Sequence, residues 1–247
     1  MKTIACYSNK GGVGKTATSV NLAHSLASAG YRVLLCDLDP QGASGFYLRV
    51  KPSRKLKEDR FFRDVKRFTG AIRGSDYDNL DILPANMTFR EFDIFLSRMK
   101  NSRSRLKKAL KAGGGDYDII LLDCPPNISI LSENVFRAAD LVLVPVIPTT
   151  LSERTFEQLL DFFRQRNLKH KKVMGFFSMV QATKKLHGDT MTRMLGAYPK
   201  RFLAAAIPFA ADIEKMGIHR APVAEFTGKR GAGKAYDALW RELMEQL

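Results

Sequence analysis

Apolar residues along the chain fall into short, almost unbroken runs, separated by stretches in which they recur every three or four positions. The runs are Thr3–Tyr7, Arg32–Asp37, Leu80–Leu83, Ile119–Asp123, Leu141–Val146, Val173–Met179 and Phe202–Ile207. Several are nearly continuous, as strands covered on both faces must be. Between the first two, Thr16–Ser28 sets Val20, Ala23 and Ala27 on one helical face, with Gly30 placed to close it. Thr88 and Glu91 have capping-box spacing at the start of a long amphipathic helix over Phe89–Lys111, which Gly113-Gly114-Gly115 ends. Glu153–Gln165 and Lys234–Gln246 predict further helices. The alternation predicts an α/β fold, a mostly parallel twisted sheet flanked by helices. No repeat or low-complexity linker interrupts it, so residues 1–247 predict a single domain.

The first run leads into Lys10-Gly11-Gly12-Val13-Gly14-Lys15-Thr16, and Thr16 opens the following helix. Glycines let backbone N–H groups surround phosphates without Cβ clashes, and the helix start adds its positive dipole end. Lys10 to Ala17 are therefore the expected nucleotide-binding residues: Lys10, Gly11, Gly12, Val13, Gly14, Lys15, Thr16 and Ala17. Lys15 would reach the β- and γ-phosphates, and the Thr16 hydroxyl would ligate Mg²⁺. The second run ends in Asp37-Leu38-Asp39, which brings two carboxylates to the end of the sheet where ligands bind in α/β folds. Ile119–Asp123 is an apolar strand ending in a carboxylate, the Walker B layout, with Asp123 holding Mg²⁺ directly or through water.

The loop departs from the standard G-x-x-x-x-G-K-[ST] pattern. Asn9 stands in place of the first glycine, and Lys10 is an added lysine. Further on come Asp37-Leu38-Asp39-Pro40-Gln41-Gly42, Asp123-Cys124-Pro125-Pro126, and Ala138-Ala139-Asp140 before an apolar strand. Towards the end lie Pro222-Val223, Arg230-Gly231-Ala232, Tyr236 and Leu239. This set resembles the ParA/MinD family of deviant Walker A ATPases over nearly the whole chain, with Val50–Asp78 the least familiar part. The resemblance implies a P-loop NTPase fold, ATP and Mg²⁺ as cofactors, and weak ATP hydrolysis stimulated by a partner. It implies that Lys10 reaches across a dimer interface to the partner's nucleotide, in the manner of an arginine finger. The implied catalytic set is Lys10, Lys15 and Asp39, with Asp39 orienting the attacking water. The implied metal set is Thr16, Asp37 and Asp123, and Pro208 is placed near adenine by family position alone. Two departures matter: Ala17 replaces a second threonine, and Ile147–Ser152 replaces the stretch usual in partition proteins.

Charge adds a partner to this picture. The net charge is +15, more than a nucleotide site needs, and it points to a polyanion. Between Arg164 and Arg201 ten Lys/Arg face one acid, Asp189, and a second basic concentration runs from Arg98 to Lys111. Family members bind DNA non-specifically through basic residues of their C-terminal half when dimerised on ATP. Lys169, Lys171, Lys172, Lys184, Lys185 and Arg193 are therefore the candidate contacts to double-stranded DNA, acting by phosphate neutralisation.

The reading that follows is a cytoplasmic, nucleoid-associated ParA-type ATPase acting as an ATP-dependent homodimer. It would position or segregate a plasmid, a chromosome, a chemoreceptor array or a protein organelle such as a carboxysome, with a ParB- or McdB-like partner stimulating hydrolysis. The departures at Ala17 and Ile147–Ser152 tilt it towards a protein cargo, as in McdA-type proteins. One alternative is a MinD-like membrane ATPase in cell-division placement. Against it, Glu242 and Glu245 offset Arg241 in the amphipathic terminal segment, which predicts a docked helix. The other is a P-loop amidoligase such as cobyrinic acid a,c-diamide synthase. Against that, the length leaves no room for an amidotransferase domain. No stretch approaches the roughly 18 apolar residues that span a bilayer. Cys6, Cys36 and Cys124 suit buried free thiols. His24, His170, His187 and His219 are expected on helix surfaces or loops. Phe61, Phe62, Val65 and Phe68 are expected in core or lid packing.

Overall fold

The computed structural model describes residues 1–228 and 230–247. In chain order the strands are β1 (Lys2–Cys6), β2 (Val33–Asp37), β3 (Arg73–Gly74), β4 (Leu80–Leu83), β5 (Ile119–Asp123), β6 (Leu141–Val146) and β7 (Val173–Phe177). The helices of the first half are α1 (Lys15–Ser28), α2 (Ala43–Tyr47), α3 (Glu58–Arg63), α4 (Val65–Thr69), α5 (Phe92–Ser97) and α6 (Arg105–Gly113). Those of the second half are α7 (Ile130–Ala138), α8 (Thr150–Gln165), α9 (Lys185–Ala197), α10 (Ala211–His219), α11 (Val223–Thr227) and α12 (Gly231–Met244). The strands form one sheet in the order β3-β4-β2-β5-β1-β6-β7. All pairings are parallel except that of the two-residue β3 with β4.

Two apolar layers cover the sheet. One holds Phe61, Phe68, Phe92, Leu106, Phe136, Phe156 and Met194, contributed by helices from α3 to α9. The other holds Val20, Leu26, Met216, Val223, Leu239 and Leu243, from α1 and α10 to α12. With both faces covered, every residue of β2, β5 and β6 is buried, which is why those segments read as unbroken apolar runs. Because β1, β2 and β5 are parallel, their C-terminal ends lie side by side, and the phosphate loop and both carboxylate segments leave the sheet there.

Several expectations are corrected. Phe202–Ile207 is not a strand; it meets β7 at its two ends, where the Leu203 and Ile207 N–H groups donate to the Gly175 and Phe177 carbonyls. Its Ala204 and Ala205 N–H groups are taken by the Glu242 carboxylate at 2.6 and 2.8 Å, which replaces a ladder. The single helix over Phe89–Lys111 is broken into a 3₁₀ turn (Met87–Glu91), α5, a second short turn and α6. Asn101 sits at φ +54° between α5 and the second short turn, a conformation that ends a helix. The capping box is absent too. The Asn86 side chain caps the turn by accepting the Thr88 N–H at 3.1 Å, and the Thr88 hydroxyl is buried without a partner. Val65 turns to solvent, whereas Phe61, Phe62 and Phe68 join Phe89 and Phe92 in an aromatic cluster. His24 and His187 are buried, not on the surface. His24 Nε2 lies 2.8 Å from Glu225, and His187 Nδ1 accepts the Gln181 N–H. α12 packs its apolar face on α1, and no helix among the described residues is long and apolar enough to cross a membrane.

Candidate functional site

The phosphate loop is shaped by two left-handed glycines, Gly12 at φ +68° and Gly14 at φ +91°. Gly14 caps α1 by backbone alone, so the first-turn N–H groups of that helix are left for another acceptor. A Cβ placed on Gly11 or Gly12 would meet no atom of the chain within 4 Å. Nothing in the folded protein demands glycine at position 11, whose φ is ordinary; the missing Cβ leaves the backbone there open to a ligand. The Lys15 side chain is buried and its Nζ donates to the Lys10 carbonyl at 3.1 Å, closing the loop around this space. Ala17, half-buried in the first turn of α1, offers only backbone groups, and its carbonyl accepts from Asn21.

Asp37 and Asp123 end neighbouring strands in matched register and are both fully buried. Asp37 accepts backbone N–H bonds from Asp39, Ser44 and Gly45. Asp123 accepts the hydroxyls of Ser19 at 3.3 Å and Ser44 at 2.9 Å. Burial, then the charge of Asp123, holds the Asp37 carboxyl well above the usual range. Burial pushes Asp123 up to about 6, opposed by the Ser44 and Thr16 hydroxyls and by Lys15. Two crowded carboxylates beside a threonine hydroxyl form an all-oxygen donor set, which fits a hard cation such as Mg²⁺. When bound, such a cation supplies the positive charge that two adjacent carboxylates lack. Asp39 lies half-buried just beyond, its carboxylate accepting the Gln41 N–H at 3.0 Å.

Ser19, Ser44 and Ser152 escaped sequence reasoning. Ser19 lies one helical turn after Lys15 and Ser44 two residues after Gly42, so position alone could have flagged both. Ser152 matters because it holds Lys10. The Lys10 ammonium donates to the Ser152 hydroxyl at 3.3 Å in the first turn of α8 and does not lie beside the two buried carboxylates of its own chain. Thr149 caps that turn, accepting the Ser152 N–H, and its hydroxyl lies 3.0 Å from that of Ser152.

On the other side of the loop an apolar recess opens between Gly14, Met179, Pro208, Ile213 and Tyr236. Pro208 is fixed there because the residues flanking it bond to Val180 through their backbones. The recess is mostly apolar and next to the phosphate cradle, chemistry that suits an adenine ring.

The six candidate DNA contacts do not come together. Lys169 and Lys171 are exposed at the N-terminal end of β7, and Lys184 and Lys185 are exposed beyond its C-terminal end. Five strand residues, about 16 Å, separate the two groups. Lys172 is half-buried, with its ammonium bonded to the Phe136 and Ala139 carbonyls at the end of α7. Arg193 is exposed and forks onto Glu153 at 2.7 and 3.0 Å. Lys172 is spent on internal structure and Arg193 on an ion pair.

A parallel sheet, a glycine-rich turn into α1 and two carboxylates at matched strand ends define a P-loop NTPase. A family model described as an AAA domain matches residues 1–175. The chromosome partitioning protein ParA of Myxococcus xanthus is 30% identical over 98% of this chain and 88% of its own length. The structure of a cobyrinic acid a,c-diamide synthase from Mycobacterium smegmatis, with a bound ATP analogue and magnesium, superimposes with a TM-score of 0.84 at 25% identity, covering 99% of this chain and 94% of that one. Apo McdA of Cyanothece superimposes with a TM-score of 0.85 over 98% of this chain and 99% of that one; at 21% identity the likeness is one of fold. The chain belongs to the ParA/MinD family of P-loop ATPases.

Proposed function

We propose that this chain is a ParA-type positioning ATPase. ATP and Mg²⁺ fill the loop of each of two subunits, with Thr16, Asp37 and Asp123 around the metal and Pro208 beside adenine. The two subunits close face to face with Lys10 of each at the other's nucleotide. The dimer holds double-stranded DNA by its phosphates through exposed lysines, among them Lys184 and Lys185, and a cargo-linked ParB- or McdB-like protein accelerates hydrolysis. The observation that carries the reading is the position of Lys10. It is a second lysine in a loop whose phosphate space Lys15 already serves, and its ammonium rests on α8. A lysine idle in its own site is free to serve another.

The likeness to a cobyrinic acid a,c-diamide synthase structure supports a second reading, an ATP-dependent amidoligase. Two measurements separate them: light scattering with and without ATP·Mg²⁺, and ATP turnover with and without duplex DNA. The positioning reading expects an ATP-induced dimer, DNA binding that appears with it, and turnover needing no small-molecule co-substrate. A chain that stays monomeric at saturating ATP, or turns over only with an added carboxylic acid and amide donor, would overturn it.

A further inference from the structure

Much of the surplus charge sits far from the nucleotide. α6 carries Arg105, Lys107, Lys108 and Lys111 and no acid. Leu106, Ala109 and Leu110 are buried, which leaves Lys107, Lys108 and Lys111 exposed. Beside them Arg103 and Arg137 converge on one oxygen of the buried Glu133, at 3.3 and 2.8 Å. One carboxylate meets two guanidinium groups there, so positive charge is left over. Lys172, anchored on the last carbonyls of α7, joins this group to Lys169. Its pKa is lowered to about 8, first by burial, against the pull of Asp140, and then by the charges of Lys107, Lys169 and Arg137. Asp140 is the exposed acid among them, and its carboxylate already accepts the Thr3 N–H at 2.8 Å. A cleft of about 250 Å³ lined by Lys107, Lys111, Thr3 and Asp140 runs along this face.

Location decides what the surface can do. Thr3, Asp140 and Val173 lie at the N-terminal ends of β1, β6 and β7, whereas the phosphate loop, Asp37 and Asp123 lie at C-terminal ends. The length of the sheet therefore stands between the two. Closing a dimer over the nucleotides neither builds nor covers the α6 face. Met1, beside the cleft, is the exposed large apolar side chain of this face, and Ile128 lies away from it, after β5 at the nucleotide end. A lipid-binding face needs several apolar side chains to insert, and this one offers a single methionine. Clustered lysines with one methionine among them fit the phosphates of a duplex better than a bilayer. Lys107 and Lys111 are separated by about 6 Å of helix rise, close to the through-space distance of about 6–7 Å between neighbouring phosphates of one strand.

We propose that the face built on Lys107, Lys108 and Lys111, flanked by Arg103, Arg137 and Lys169, is a second contact surface for duplex DNA, available without ATP and without dimerisation. It gives the protein a weak, permanent hold on DNA beneath the nucleotide-dependent one. It does not depend on the positioning reading, since a monomer carries it whole.

The test is fluorescence anisotropy of a labelled random duplex of about 30 base pairs with nucleotide-free protein, from about 50 to 200 mM salt. Wild type binds at the low end. K107E/K108E/K111E loses at least about tenfold in affinity, and its log–log salt slope flattens by about 2 to 3. K51E/K55E, at exposed lysines outside both surfaces, loses no more than about twofold. A matching melting temperature and ATP affinity show that the triple variant is folded, and K107A/K108A/K111A gives a smaller loss in the same direction. Three results overturn the proposal: no nucleotide-free binding by wild type, wild-type affinity in the triple variant, or a loss confined to phosphatidylserine vesicles. Failure of the positioning reading looks different, with nucleotide-free binding retained and no gain on adding ATP.

Discussion

Asp37 and Asp123 are tied together by Ser44, whose N–H donates to Asp37 at 3.1 Å and whose hydroxyl donates to Asp123 at 2.9 Å. The short helix α2 after the second strand thus sets the spacing of two carboxylates that come from elements more than eighty residues apart in the chain. Removing the hydroxyl leaves a buried carboxylate one donor short, a loss of about 1–3 kcal/mol. Ser44→Ala is expected to lower urea stability by that order and to raise the Mg²⁺ concentration needed for half-maximal turnover several-fold. Ser44→Thr should recover both. An unchanged Mg²⁺ titration in the alanine variant would detach Ser44 from the metal site.

Gly11 and Gly14 make a matched pair of tests. Gly11 faces open space at an ordinary φ, whereas Gly14 is held at φ +91° with Ser178 at 3.2 Å from any added Cβ. Gly11→Ala is expected to leave the melting temperature unchanged and to weaken binding of a fluorescent ATP analogue at least about tenfold, since only a ligand competes for that space. Gly14→Ala is expected to lower both stability and binding. Full nucleotide affinity in Gly11→Ala would mean that the phosphates lie elsewhere.

The phosphate loop and the strands that carry Asp37 and Asp123 were legible because strands buried on both faces leave unbroken apolar runs, and their ends moved by no more than two residues. The break at Asn101 was not legible, because α5 and α6 keep their apolar residues in helical phase on either side of it. Nor was the fate of Phe202–Ile207. Its composition suits a strand, but in its middle the Ala204 and Ala205 N–H groups answer to Glu242, a partner 37 residues or more away. The same limit applies to the charges. A ten-to-one excess of basic residues is visible in the chain, but β7 puts its members at opposite ends of the sheet, and the fold alone shows that Lys172 is spent on α7.

Lys172 follows as a prediction about stability. Losing its bonds to the end of α7 costs about 1 kcal/mol or more, so Lys172→Ala should melt a few degrees below wild type, with ATP-dependent DNA affinity within about twofold. The pH dependence has a definite sign. Its pKa is lowered from 10.5 to about 8, so the unfolded chain holds more protons across that interval. Wild-type stability relative to the alanine variant therefore rises as pH climbs from about 8 towards 10.5. Chemical denaturation of both proteins across that range reads it, and a difference that falls with pH would reverse the assignment.

The three thiols should be silent. Cys6, Cys36 and Cys124 are buried, and burial pushes Cys6 up to about 12 and the other two upward as well. A colorimetric disulfide reagent at about pH 8 should find no thiol in the native protein and all three in denaturant. Rapid labelling of the native protein would show that the core around the phosphate loop opens.

The central claim is that Lys10 acts in the partner's site, and a mixing experiment tests it most directly. Lys10→Ala and Asp39→Ala are each expected to be inactive alone, the second as a trapped ATP-bound dimer. In a mixed dimer, the site with intact Asp39 receives Lys10 from the Asp39→Ala subunit. An equimolar mixture should regain about a quarter of wild-type turnover, since half of the dimers are mixed and each has one complete site. No recovery on mixing, or wild-type turnover by Lys10→Ala alone, would contradict the account.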